Sequence, residues 1–250
     1  MGALLAGCAS SEAWVSVPEN LVDTARLPGY EEGIRFWGDE RPPNLDKMVD
    51  QQIRQSLAYK KKYGGYGTLA MLSVSGGGAD GAFGAGLLNG WTASGTRPKF
   101  DFVTGVSTGA LTAPFAFLGP EFDDELKEVF TETSTKDVLR ENLLGGLLGG
   151  TAIADSKPLY DLISKYATPE FIARVGKEHN NGRRLFIGSV NLEAERPVIW
   201  NMGKIANSKN PDKVELFRRV LLASAAIPGI FPPVTIEVVA DGKKISRSAC

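Results

Sequence analysis

Phe100-Asp101-Phe102-Val103-Thr104-Gly105-Val106-Ser107-Thr108-Gly109 passes from an apolar strand pattern through Gly-x-Ser-x-Gly into a run of small residues that reads as a helix to about Leu118. A sharp strand-to-helix turn of this kind holds a serine in a strained conformation with its oxygen exposed above the sheet. Glycines flank such a serine because a Cβ there would strike the neighbouring strands. The five-residue string is weak by itself, since Gly and Ser are common. A strand before it and a helix after it supply the context the motif demands.

Upstream, Leu69-Ala-Met-Leu-Ser-Val74 predicts a short buried strand ending in Ser75-Gly76-Gly77-Gly78-Ala79-Asp80-Gly81, with a helix from about Ala82 to Ala93. Three glycines between a strand and a helix N-terminus aim several backbone N–H groups into one space. Such a nest suits a developing oxyanion, for which one donor is worth about 2.7–4 kcal/mol of rate. The same residues satisfy Gly-x-Gly-x-x-Gly, and Asp101 follows at about the spacing of a dinucleotide fingerprint. Against that alternative, Asp101 opens its strand rather than closing it, and Asp80 would set a negative charge beside a pyrophosphate.

Further along, Leu185–Leu192, Pro197–Trp200 and Val234–Val239 read as strands and Val214–Ser224 as a helix. Strands alternating with helices imply an α/β fold, a mainly parallel central sheet sandwiched by helices. Residues 9–43 suggest an extended arm. Asn44 is placed to cap a helix running to about Tyr63, with Leu45, Val49, Ile53 and Leu57 as its buried stripe.

At 250 residues the chain fits one medium domain. A net charge of −1 argues against a nucleic-acid partner. The short basic clusters read as a last helical turn (Lys60–Lys62) and a loop before a strand (Arg183–Arg184). The two cysteines, Cys8 and Cys250, give neither a disulfide framework nor metal-ligand spacing. The one histidine, His179, lies in the polar stretch Lys177–Arg184 and reads as a solvated loop residue. No strand-end acid precedes it, so a Ser-His-Asp triad is disfavoured and the serine is expected to depend on a carboxylate directly.

Gly-Gly-Gly-x-x-Gly, then Gly-x-Ser-x-Gly, then Ala223-Ser-Ala-Ala-Ile-Pro-Gly-Ile-Phe-Pro-Pro233 resembles the patatin-like phospholipase family over roughly residues 68–239. Phe83-Gly-Ala-Gly86 and Ala113-Pro-Phe-Ala-Phe-Leu-Gly119 are similar to its bacterial branch. The resemblance implies a lipid acyl hydrolase with a Ser-Asp dyad, Ser107 as nucleophile and Gly76, Gly77 and Gly78 as the oxyanion loop. It implies acyl-ester substrates met at a membrane surface, and no metal or organic cofactor. Asp80 departs from the family, where Arg or Asn is common.

The family's acid stands in Asp-Gly-Gly or Asp-Gly-Ala after the Pro-Pro block. Here Asp241-Gly242 is followed by Lys243 and Lys244. It reads as a two-residue hairpin turn, which leaves Asp241 the weaker candidate for the base. Ile245–Cys250 shows no strand pattern. The expectation is a domain (68–250) cut short before its acid, and a second reading is a chain that does no chemistry. Leu5-Ala-Gly-Cys8 resembles a bacterial lipobox. It implies a signal remnant (1–8), lipidation at Cys8 and an outer-membrane location, followed by an arm and helix (9–67). Leu143–Gly150 reads either as an apolar lid or as a loop of no special role. No motif speaks to oligomeric state.

Overall fold

The computed structural model describes residues 17–64, 68–131, 140–141, 154–240 and 243–249. Cys8 with its leader, Leu143–Gly150 and Asp241-Gly242 lie outside these residues. In chain order the elements are β1 (Arg35–Trp37), α1 (Leu45–Tyr63), β2 (Met71–Val74), α2 (Gly81–Ala93), β3 (Phe102–Val106), α3 (Thr108–Leu118) and α4 (Asp123–Thr131). The short strands β4 (Arg140–Glu141) and β5 (Ala154–Asp155) precede α5 (Lys157–Tyr166) and α6 (Pro169–Asn180). β6 (Arg184–Asn191), β7 (Arg196–Asn201), α7 (Met202–Asn207), α8 (Lys213–Ala225), β8 (Thr235–Ala240) and β9 (Lys243–Ala249) follow.

The central sheet has five strands in the order β1-β7-β6-β3-β2. Its core is parallel, β2 on β3 and β3 on β6. β7 returns antiparallel to β6, and β1 from the N-terminal arm adds an antiparallel edge. Parallel neighbours need a long crossover, and α2 supplies the one from β2 to β3. The fold is α/β, with a mostly parallel core flanked by helices.

Strand register decides what faces the helices. Val103 pairs with Leu185 and Ile187 with Trp200, and all four are 0% exposed. α3 lies directly on this face. Its small residues Ala110, Ala113 and Ala116 are buried with Phe117, so the helix can come close to the strands without a void. α6, α7 and α8 extend the layer.

Four expectations are corrected. β2 is an edge strand, not a buried one, and Met71 is 69% exposed. The stripe Val49, Ile53 and Leu57 of α1 faces outward, at 43%, 51% and 60% exposure. α1 instead turns Gln55 and Ser56 inward, where Gln55 Oε1 accepts from Arg184 Nη2 at 2.8 Å. A buried guanidinium must have acceptors, and that need sets the face of the helix.

Arg183 and Arg184 are buried, not part of a solvated loop. Arg183 donates to Phe100 O at 2.6 Å and to Glu178 at 2.7 Å, and lies 4.4 Å over the Phe117 ring. Finally, residues 243–249 form β9, antiparallel to β8. Backbone pairing with an alternating partner makes this strand despite its missing apolar pattern.

Candidate active site

Ser107 ends β3 and begins α3, with φ 56° and ψ −129°. Among the described residues only one other non-glycine, Glu195, has positive φ. Such a backbone costs about 1–3 kcal/mol and persists only where its surroundings enforce it. Three contacts do so here. A Cβ on Gly105 would stand 2.4 Å from Gly109 O and 2.8 Å from the Ala113 Cβ. One on Gly109 would stand 2.2 Å from Val74 O. Both glycines are therefore demanded by the approach of α3 to β2 and β3. The third contact is a hydroxyl from α8. Ser224 Oγ accepts from Ser107 N at 2.9 Å and donates to Gly188 O at 2.6 Å.

The glycine loop follows β2 at the same end of the sheet. A Cβ on Gly76 would meet the Ser107 Cβ at 2.8 Å and Ser107 Oγ at 3.4 Å. The loop backbone thus passes directly against the serine. Gly78 adopts φ +56° in open space, so conformation alone asks for glycine there. It begins a single 3-10 turn, Gly78–Asp80, that leads into α2. The structure brings Ser107 and Gly76 into contact and sets Gly77 and Gly78 in the adjoining turn. Asp80 is exposed at the start of α2.

The acid of a dinucleotide site is not at this end. The Asp101 carboxylate accepts from Ala70 N at 2.9 Å, across the β2–β3 pair at the end away from the glycines. Asp101 is a sheet-end cap.

His179 corrects the sequence reading. It belongs to α6, not to a solvated loop, and is 3% exposed. It packs so tightly on Gly203 of α7 that a Cβ there would sit 2.3 Å from its Nδ1. Its Nδ1 has no hydrogen-bond partner among the described residues. Burial first, then Arg184 and Lys204, push its pKa down to about 3. The His179 carbonyl accepts from Arg184 Nη1 at 3.0 Å, and Arg184 pairs with Phe102 at the start of β3. Ser107 lies beyond the far end of that strand, about 16 Å from Phe102 at the usual rise per residue. The imidazole cannot serve it.

Among the described residues no carboxylate hydrogen-bonds to Ser107 Oγ, and no cluster of His, Cys, Asp or Glu could hold a metal ion. Ser224 is the site residue that motif reading missed. It appears in the sequence only as one member of the Ala223–Pro233 block, with no spacing that ties it to the serine.

The crossovers define an α/β protein whose strand-to-helix turn, with its strained serine, sits against the glycine loop. The sequence model of the family described as patatin-like phospholipase matches residues 72–244. The chain belongs to that family, and membership points to lipid hydrolysis. A search of curated proteins returns no match.

Proposed function

We propose that the protein is a lipid acyl hydrolase in which Ser107 attacks the ester carbonyl. The observation that carries this is the contact of Gly76 with Ser107, closer than any side chain would allow. In this reading the backbone N–H groups of Gly76–Gly78, whose chain passes against Ser107 at Gly76, take up the negative charge that develops on the attacked carbonyl. Ser107's own N–H is taken by Ser224, so the proposal draws its donors from the glycine turn.

Attack by Ser107 Oγ forms a tetrahedral oxyanion. Its collapse expels the alcohol and leaves an acyl-serine, which water then hydrolyses. The hydroxyl proton goes to a carboxylate rather than an imidazole, because the one histidine is buried at the other end of β3. Asp241 is the weaker candidate for that carboxylate, since Asp-Gly followed by Lys-Lys is the sequence of a two-residue hairpin turn.

Ser107→Ala is expected to abolish hydrolysis of short-chain p-nitrophenyl esters with an unchanged circular dichroism spectrum. Retained turnover would remove Ser107 as nucleophile. The lipobox reading of Leu5–Cys8 completes the proposal, since a lipid anchor on Cys8 keeps the enzyme at its substrate. No helix among the described residues is long and apolar enough to cross a membrane. Membrane fractionation of the parent and Cys8→Ser tests the anchor.

A further inference from the structure

At the carboxyl ends of β3 and β6 and the amino end of β7 the sheet opens into a cavity of about 550 Å³. That is the size of a small-ligand pocket. Val106 and Ile199 line it from the sheet with Val190 at its half-exposed mouth, and the segment 226–233 lines it with Phe231 and Pro232. Two hydroxyls reach the lining, and both are already engaged. Ser189 Oγ accepts from Trp200 Nε1 at 2.9 Å. Ser224 Oγ is held between Ser107 N and Gly188 O. Among the described residues no charged side chain lines the cavity, so a phosphate or polyol headgroup would find none of them to pair with. An apolar chain loses nothing by entering.

The cavity also begins at the right place. Val106 is the residue before Ser107, and Ser224 touches both the cavity and the Ser107 N–H. A carbonyl held on Ser107 therefore has its attached chain within one residue of the opening.

Gly188 in the cavity wall differs from the glycines of the serine turn. It pairs with Val106 on one side and Ile199 on the other. A Cβ built on it would meet only Ile199 Cδ1 at 3.8 Å and Gly105 O at 4.0 Å, ordinary van der Waals contacts. Its φ is not positive. Neither packing nor backbone asks for glycine, whereas at Gly76, Gly105 and Gly109 packing does. What a side chain at 188 would take up is cavity volume.

We infer that this cavity is the acyl-chain subsite and that Gly188 sets the chain length it accepts. The inference rests on the hydrolase reading above and deepens it. Each buried methylene is worth about fourfold in affinity, so binding rises with chain length until the cavity is full. A larger residue at position 188 brings that limit to a shorter chain.

The test is fluorescence titration of the full chain with cis-parinaric acid, displaced by butyric, octanoic and dodecanoic acids. Gly188→Leu is expected to weaken dodecanoate by about tenfold or more, the loss of two or so methylenes, and to leave butyrate nearly unchanged. Gly188→Ala lies between. Val190→Trp narrows the half-exposed mouth and reports the same loss independently, should Gly188→Leu fail to fold. If both bulky variants melt like the parent and bind dodecanoate as tightly, or if the parent binds none of the acids, the assignment is wrong. Binding needs no chemistry at Ser107. Ser107→Ala is expected to bind like the parent while losing ester hydrolysis. If it keeps hydrolysis, the nucleophile reading fails, and the chain-length comparison still decides the cavity.

Discussion

The backbone N–H of Ser107 is held by the hydroxyl of Ser224, 117 residues later in the chain, at 2.9 Å. The same hydroxyl donates to Gly188 O, so one oxygen ties α8 to the ends of β3 and β6. Ser224→Ala strands a partly buried donor and acceptor and is expected to cost about 1–3 kcal/mol. At about 2–4 °C per kcal/mol for a chain of this size, the Tm falls by several degrees. The reaction of Ser107 with a fluorophosphonate is expected to slow by about tenfold, since small misplacements at a reacting atom are costly. Ser224→Thr keeps the hydroxyl and is expected to recover most of the rate. Parent-like labelling of Ser224→Ala would show that the bond does not position the serine.

Two glycine substitutions separate chemistry from folding. Gly76→Ala pushes the loop off Ser107 and is expected to cost about 10²–10³ in ester hydrolysis, the size of a lost oxyanion donor. Its melting temperature changes little, because the loop is on the surface. Gly109→Ala drives a methyl to 2.2 Å from Val74 O and forces α3 off the sheet. Its expected result is loss of soluble, folded protein, read by thermal melt. The reverse pattern would exchange the roles assigned to the two glycines.

His179 is expected to shape stability rather than catalysis. Its folded pKa of about 3 lies below the ordinary 6.5. Between those values the unfolded chain binds the extra proton, so stability rises with pH through that window and is lost as pH falls. At pH 5 the cost is about 2 kcal/mol relative to pH 7. Urea titrations at both pH values are expected to show this difference in the parent and a smaller one in His179→Ala. Ester hydrolysis by His179→Ala is expected to stay within about threefold, far from the 10²–10⁴ of a lost general base.

Asp241→Asn is expected to leave the labelling of Ser107 within about threefold of the parent, against the 10²–10⁴ cost of losing a general base. A loss in that larger range would make Asp241 the base.

The parallel core was legible because its strands are short apolar runs punctuated by glycine at the residues where the chain must turn. The Gly105–Gly109 turn carried the strand-to-helix junction in five residues. α6 was missed although its signals were present. Thr168 caps it, accepting from Phe171 N at 3.2 Å, and Pro169 opens it. The error spread to His179, whose polar neighbours Lys177, Glu178 and Asn180 suggest solvent while the fourth face of the helix is buried. α1 misled in the opposite sense, because its apolar repeat is genuine but the buried Arg184 requires Gln55 on the inner face. Contacts such as Ser224 with Ser107 leave no periodic trace, since they depend on where α8 docks and not on its own pattern.

Intact-mass measurement after incubation with a fluorophosphonate tests the role of Ser107 most directly. The parent is expected to gain a single adduct that maps to the peptide containing Ser107, and Ser107→Ala is expected to gain none. An adduct of equal extent on Ser107→Ala, or one mapping to another serine, would contradict the assignment of Ser107 as nucleophile.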